Sequence, residues 1–542
     1  MARKPLPASV YPAPKMYGAG PWLGMRDARE PSAADPQYAK KLRNCYATAT
    51  ESGGRAVQGI PGFSQAGTQL GAVGARVVQW IGTLRKTDGT TKNLVMCNGE
   101  LSEYDFSGDA FTTRLTQAQI NAGTGTPALS TTARIYSLTY NDQQIFSDST
   151  NVSFQWDGTS GAGVVKLSNA PVFYGQPVIH FEKLAAIKNA ERDTWVWSEE
   201  GDPTLGYDTA PYENAWNFGG SKAQRLFALA SRNETMGVLR ERTTTTVDGA
   251  MNAEFRTTAN RASVSEQIGT MAPAAVLVLD EGTLIIDADG KPQFWPRGSG
   301  YTAAPALWNA CEVTVSAIAR SQLANIQIVY DETTNLIMVP FAKDGASSLN
   351  TVLFFERTGG VPNFVGYGDG YNSTRWGTWI DSDGRQRVVH AGVDDGYVYV
   401  HGTPDAGPWN YGLNSGTIAI PHEAMAAELG ADMHIEKNFD EFGIEVLLNT
   451  DMDITLGYQT PTGTSSTVQS VTLTTGGAVY GTGIYGTDVY AGATNNARVR
   501  VGINEHGRWL LPSVRHDVLD QQFSLIACDA VAFVEGRDPE IA

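Results

Sequence analysis

The chain is poor in the residues that staple, anchor or arm a protein. It has four cysteines in 542 residues, Cys45, Cys97, Cys311 and Cys528, far apart and never in a CxxC pair. Buried thiols that fold in a reducing compartment are expected rather than a disulfide framework. No apolar run reaches the roughly 18 residues that a membrane-spanning helix needs. The opening MARKPLPASVYPAPKMYG is basic but has no apolar core, which reads against a secretory signal. Basic residues are also outnumbered: 40 Lys and Arg against 57 Asp and Glu give a formal charge of −17. That balance argues against a protein that grips the outside of a nucleic acid, and it permits a surface that DNA slides past without sticking. No like-charge run is long enough to be a tail.

Catalytic signatures are equally scarce. There is no HxH, HExxH or P-loop, and no GxGxxG ahead of a helix. The seven histidines are scattered, so His401, His422 and His434 would meet only through folding. DADG at 287 and DSDG at 381 imitate the start of a calcium loop. In both, Gly follows the second Asp too early and no helices flank the segment, so acidic hairpin turns are expected. GTSGAG at 158 leads into VVKLSN, a strand-like stretch, and not into the helix that a nucleophile elbow requires. Glu199, Glu200 and Asp202 read as a solvated turn, and STRWGTWIDSDGR carries the parts of a sialidase-type repeat in the wrong order. No catalytic residue, cofactor-binding residue or metal ligand is assigned, and a non-enzyme is expected.

What the chain does have is glycine, 58 residues against 25 prolines, with recurrent Thr, Tyr, Trp and Val and 42% apolar residues. This composition suits many short strands joined by tight turns around a packed core. YNDQQIFSDSTNVSFQWDG, residues 140 to 158, shows the unit. A strand meets the turn Asn141-Asp142, a second strand carries Ile145 and Phe146, and Val152, Phe154 and Trp156 alternate in a third. Similar units begin near 72, 133, 183, 223, 274, 324 and 377. Asn-Gly and Asp-Gly favour type I′ turns because both central residues need positive φ, and alternation marks strands with a buried face. A single small sheet cannot bury both faces and leaves two edges open, whereas radial stacking solves both problems. The spacing therefore predicts an all-β protein with a β-propeller of about seven blades over 71–427, an array of sandwiches being the competing reading. Pro5, Pro7, Pro12, Pro14 and Pro21 predict an extended N-terminal arm over 1–70. Longer, more widely spaced strands predict a separate sandwich-like β domain over 428–542.

Three segments carry a resemblance. In residues 20–63, Asn44, Gly54-Arg55 and Pro61-Gly62-Phe63 are placed as in the N-terminal segments of phage propeller proteins. ERDTWVWSEEGDPTLGYD resembles a blade with an Arg-leading strand followed by Gly-Asp-Pro and an aromatic. GGAVYGTGIYGTDVYAG sets Tyr480, Tyr485 and Tyr490 five apart, similar to an aromatic-glycine ladder near the C-terminus, and precedes Arg-rich strands and FSLIACDAVAFVEGR. The ladder has Tyr where Trp is common. The chain thus resembles the propeller-bearing tail proteins of tailed bacteriophages, above all the nozzle, or tail tube, proteins of short-tailed phages.

The resemblance implies a structural virion protein made in the host cytoplasm. It implies a homo-oligomeric, sixfold ring below the portal and adaptor, continuing the channel through which DNA leaves, with tail fibres as further neighbours. An acidic lumen would repel phosphates, although the same charge also serves solubility. Two other readings stand beside it: a receptor- or glycan-binding fibre or spike module, and a polysaccharide-cleaving tail enzyme. In the first, the Tyr ladder would stack on sugars. In the nozzle reading Tyr480, Tyr485 and Tyr490 are interface candidates, because large amphipathic rings on a Gly-rich loop suit protein contacts. Packing within the C-terminal domain is the alternative for them.

Overall fold

The structure is a computed structural model. It describes residues 15–534 apart from 21, 27–36, 50–53, 73, 75, 125–128, 209–212, 219–224, 233, 250, 252–258, 298–306, 403–409, 414–415, 427, 430–435, 449–450, 462–464, 474–495, 519–520 and 522. The chain is all-β and divides into two units. One comprises 61–364 and 368–417, the other 1–60, 365–367 and 418–542.

The larger unit is a β-propeller built from seven successive antiparallel meanders. Blade 1 is Val78–Arg85, Thr91–Cys97, Glu100–Asp105 and Ala110–Leu115. Blade 2 begins at Tyr136–Tyr140, blade 3 at Phe173–His180, blade 4 at Leu226–Arg232, blade 5 at Val276–Leu279 and blade 6 at Val329–Asp331. The long strand Asn363–Ile380 pairs first with Leu349–Glu356 of blade 6, and from Ser373 onward with Gln386–Gly392 as the first strand of blade 7. The unit at 140 is formed as its turn chemistry requires. Asn141 and Asp142 both take positive φ, 48° and 61°, between Tyr136–Tyr140 and Gln143–Ser147.

Side-chain alternation explains why the blades stack. In Thr91–Cys97, Leu94 and Met96 join Phe146, Phe154 and Trp156 of blade 2, whereas Val95 and Cys97 join Trp379, Val389 and Val400 of blade 7. Blade 3 repeats the logic: Leu184, Ala186 and Val196 pack with Tyr140 and Ile145 of blade 2, and Ala185, Ile187, Trp195 and Trp197 pack with Leu229 and Met236 of blade 4. The period of two sends successive residues to opposite neighbours, so the hydrophobic cores lie between blades.

The ring is closed by a strand from before blade 1. Phe63–Gln65 pairs antiparallel with Val398–His401 and so completes blade 7. Phe63 is 2% exposed, among the rings of Tyr371, His390, Tyr399 and His401.

The smaller unit holds two sheets. In the first, Lys437–Leu447 lies between Asn496–Gly507 and Ser524–Val534, which continues to Arg55–Gly59 and Cys45–Ala49 and also takes Lys15–Ala19. In the second, Lys41–Arg43, His422–Met425, Leu511–His516, Met452–Gln459 and Ser465–Leu473 follow in order. Phe442 of the first meets Tyr458 of the second edge to face, ring centroids 6.3 Å apart, as in a sandwich. The strands at 41–59 take the place of the extended arm expected over 1–70: they pair within this unit, and Phe63–Gln65 joins the propeller. The expected 428–542 domain is accordingly completed by residues from the beginning of the chain.

Candidate functional site: the propeller channel

The first strands of the blades run around one axis and are stitched to one another. Ile135 N donates to Gln79 O at 3.2 Å, Gln176 Nε2 to Ser137 O at 2.8 Å and Ile328 N to Ala274 O at 3.1 Å. Gln327 Nε2 donates to Thr374 O at 3.2 Å, and Thr83 Oγ1 to Thr378 O at 2.8 Å, which joins blade 1 to blade 7. Where blades 1 and 7 meet, the approach is backbone-close: a Cβ on Gly377 would stand 2.5 Å from Ile81 O.

The space they leave is a cavity of about 440 Å³ to which every blade contributes: Ile81, Tyr136, Gln176, Ser231, Val276, Gln327 and Arg375. The charged side chains that line it are both arginines, Arg134 and Arg375. Arg375 donates from Nε to Gln79 O at 3.1 Å and from Nη1 to Thr374 O at 2.7 Å. Arg134, on blade 2, reaches across the cavity: its Nη1 lies 3.4 Å from both Ala324 O and Asn325 O, on the segment leading into blade 6. Neither forms an ion pair with a carboxylate among the described residues. Burial pulls the Arg375 guanidinium down to about 9, the Arg134 charge pushes the same way, and Asp394 opposes with a weaker attraction. Arg134 is lowered by burial as well.

Beside the cavity, His180 Nδ1 meets Ser231 Oγ at 3.0 Å. Burial drives this histidine down to about 4, and its Nε2 has no partner among the described residues. The pair lacks a carboxylate to orient the ring, so it has two members of a nucleophilic triad without the third. Among the described residues no group of three His, Cys, Asp or Glu side chains could hold a metal ion.

The residues singled out from sequence are placed as follows. Asp287 and Asp381 each close a hairpin turn, accepting from Asp289 N and Lys291 N in one case and from Asp383 N and Arg385 N in the other. His401 meets His390 at 2.9 Å in blade 7, and His422 meets His516 at 3.3 Å in the sandwich unit; His434 lies outside the described residues. Asp202 accepts from Thr204 in its turn, and Glu199 accepts from Asn214. All four cysteines are buried and stand outside any disulfide. Tyr480, Tyr485 and Tyr490 lie outside the described residues. Sequence reasoning missed Arg134 and Arg375. The available signal was that each precedes the aromatic of an inner strand, in ARIY and STRW, which shows only once the blades are aligned on each other.

Fold and channel define the class: a seven-bladed β-propeller, closed by a strand from before its first blade and joined to a β-sandwich. No known family's model and no curated protein matches the chain. Among solved structures it is similar to BamB from Moraxella catarrhalis, at 12% identity and a TM-score of 0.36 over 65% of this chain and 95% of that one. It is similar to PorZ, a surface component of the type-IX secretion system of Porphyromonas gingivalis, at 8% identity and a TM-score of 0.39 over 76% of this chain and 46% of that one. It is also similar to the computationally designed protein Ika8, at 9% identity and a TM-score of 0.35 over 62% and 99%.

Proposed function

We propose that the protein is a structural component of a short-tailed phage, a nozzle subunit that assembles into a ring continuing the portal and adaptor channel. The observation that carries this reading is the resemblance of its three segments, around Asn44 and Pro61-Gly62-Phe63, around Arg192 and Gly201-Asp202-Pro203, and at 477–492. A role of this kind draws on a rigid, self-closed propeller and needs no catalytic constellation. A formal charge of −17 suits a wall that DNA must pass without being retained. The propeller's own cavity, about 440 Å³, is far too small for a duplex. In this reading the DNA path is therefore the lumen of a ring of copies, and each propeller is part of its wall.

Electron microscopy and native mass measurement of the purified protein test the reading. Rings of six copies, or rings formed on addition of portal and adaptor, are the expected result. A slender trimer that binds glycan would replace it with a fibre module, and a monomer that cleaves host polysaccharide would replace it with an enzyme.

A further inference from the structure

We propose that the propeller channel binds a small oxyanion, a molecule carrying phosphate or carboxylate groups, between Arg134 and Arg375. The inference is independent of the role in a phage tail.

Charge placement is the first argument. The chain has 57 acidic residues, yet none of those among the described residues lines this cavity. Other partly buried arginines are neutralised: Arg357 by Glu281 at 2.9 Å, Arg387 by Asp381 at 2.8 Å and Arg114 by Glu103 at 2.7 Å. Others are roofed by aromatic rings, as Arg192 is by Tyr174 at 3.1 Å and Arg232 by Trp295 at 4.0 Å. Arg375 has neither kind of neighbour among the described residues, and Arg134 has only Tyr136, at 5.0 Å. Two like charges in a poorly solvated space repel, and an anion between them would remove that cost.

Free donors are the second argument. Arg375 engages Nε and Nη1 with carbonyls, which leaves Nη2 without a partner among the described residues. Arg134 makes only long contacts from Nη1 and leaves Nε and Nη2. Guanidinium forks match carboxylate and phosphate oxygens in bidentate fashion. The cavity, about 440 Å³, lies in the range of roughly 300–1,000 Å³ of small-molecule sites. Its position on the propeller axis surrounds a ligand with all seven blades, so binding would hold the ring together.

Thermal unfolding and calorimetric titration of the full chain, with inorganic phosphate in one arm and citrate in the other, test this against sodium chloride at equal ionic strength. Saturable stabilisation by at least one of the two is expected, and the arm that responds assigns the phosphate or the carboxylate class. Arg375→Met and Arg134→Met should each weaken that binding by about ten- to a hundredfold, the worth of charged hydrogen bonds. Arg375→Lys should retain part of the response. A shift that rises without saturation, or that survives in both Met variants, is a general salt effect and overturns the proposal. So does the absence of any response in the parent protein, a result that does not depend on how the variants fold.

Discussion

Lowering the pH from 7.5 to 4.5 should unfold this propeller, and the cause is histidine. His180, His390 and His401 are buried in it, at 1, 2 and 5% exposure. Burial pulls His180 down to about 4 and His401 to about 3, and it pulls His390 down further with help from His401. All three are neutral in the fold, while the unfolded chain takes up protons near pH 6.5. Folded values below unfolded ones mean stability that is complete above about pH 6.5 and is lost as pH falls toward the folded values. At pH 4.5 the loss is about 3 kcal/mol for each independent site. His390 and His401 touch in the fold, which keeps both neutral there, but in the unfolded chain they take up protons independently. The three sites together then cost about 8 kcal/mol, comparable to the whole stability of many domains. Asp287, Asp331 and Asp395, pushed up by burial, act in the opposite sense and soften the fall. The assay is urea unfolding followed by tryptophan fluorescence, since all of the twelve tryptophans except Trp22 and Trp509 belong to the propeller unit. The midpoint should hold from pH 8 to 7 and drop steadily below 6.5. His180→Asn combined with His401→Gln should flatten that drop. An unchanged midpoint at pH 5, or a drop of equal steepness in the double variant, would refute the reasoning.

Phe63→Ala should open the seam of the ring at a cost of about 3–5 kcal/mol, the range for emptying a buried aromatic site, read from the same urea midpoints. Gly377→Ala should cost about 1–3 kcal/mol by overpacking, because its Cβ would press on the Ile81 carbonyl; a neutral result would mean that blades 1 and 7 are not closely apposed. Phe181 holds a positive φ of 48° in an exposed turn, so Phe181→Gly should raise the melting temperature by relieving about 1 kcal/mol of strain. Loss of stability in that variant would show that the ring's contact with His180 outweighs the strain.

The blades were legible because their signals are local. Asn98-Gly99 and Asn141-Asp142 announce turns that the structure forms at positive φ, and Val95 and Ile145 announce a buried strand within a few residues of each. Blade 3 shows where local reading slips. Its sequence unit begins near 183, whereas the blade starts at Phe173–His180, a strand in which Gly175 and Pro177 interrupt the pattern. The register shifts between Tyr174 and Val178, so a break in sequence became an irregularity and not a boundary. The strands at 41–59 read as an arm because, apart from the hairpin of Cys45–Ala49 with Arg55–Gly59, their partners lie more than 300 residues away, as in the contact of Lys41 with Glu423, and pairing at that distance leaves no mark in either segment. The channel arginines were invisible for a related reason. A lone Arg at the start of a strand means nothing until seven such strands are set around one axis.

The pairing of Arg55–Gly59 with Ser524–Val534 also bears on the order in which the two units are completed as the chain is made. The strands at 41–59 leave the ribosome before the propeller, yet the sheet that receives them is complete only after Ser524–Val534 has been translated. At roughly 5–20 residues per second that interval is some tens of seconds. The propeller faces no such delay once Val398–His401 is out, because its closing strand, Phe63–Gln65, is already present. The ring should therefore close while the sandwich is half made, leaving Cys45–Ala49 and Arg55–Gly59 as an unpartnered hairpin on a nascent chain. Such an exposed edge can pair with the same edge of a neighbouring nascent chain on one polysome. A protein produced in many copies in one cell would meet that hazard at each round of translation, and its yield would depend on how fast residues 418–542 follow the propeller.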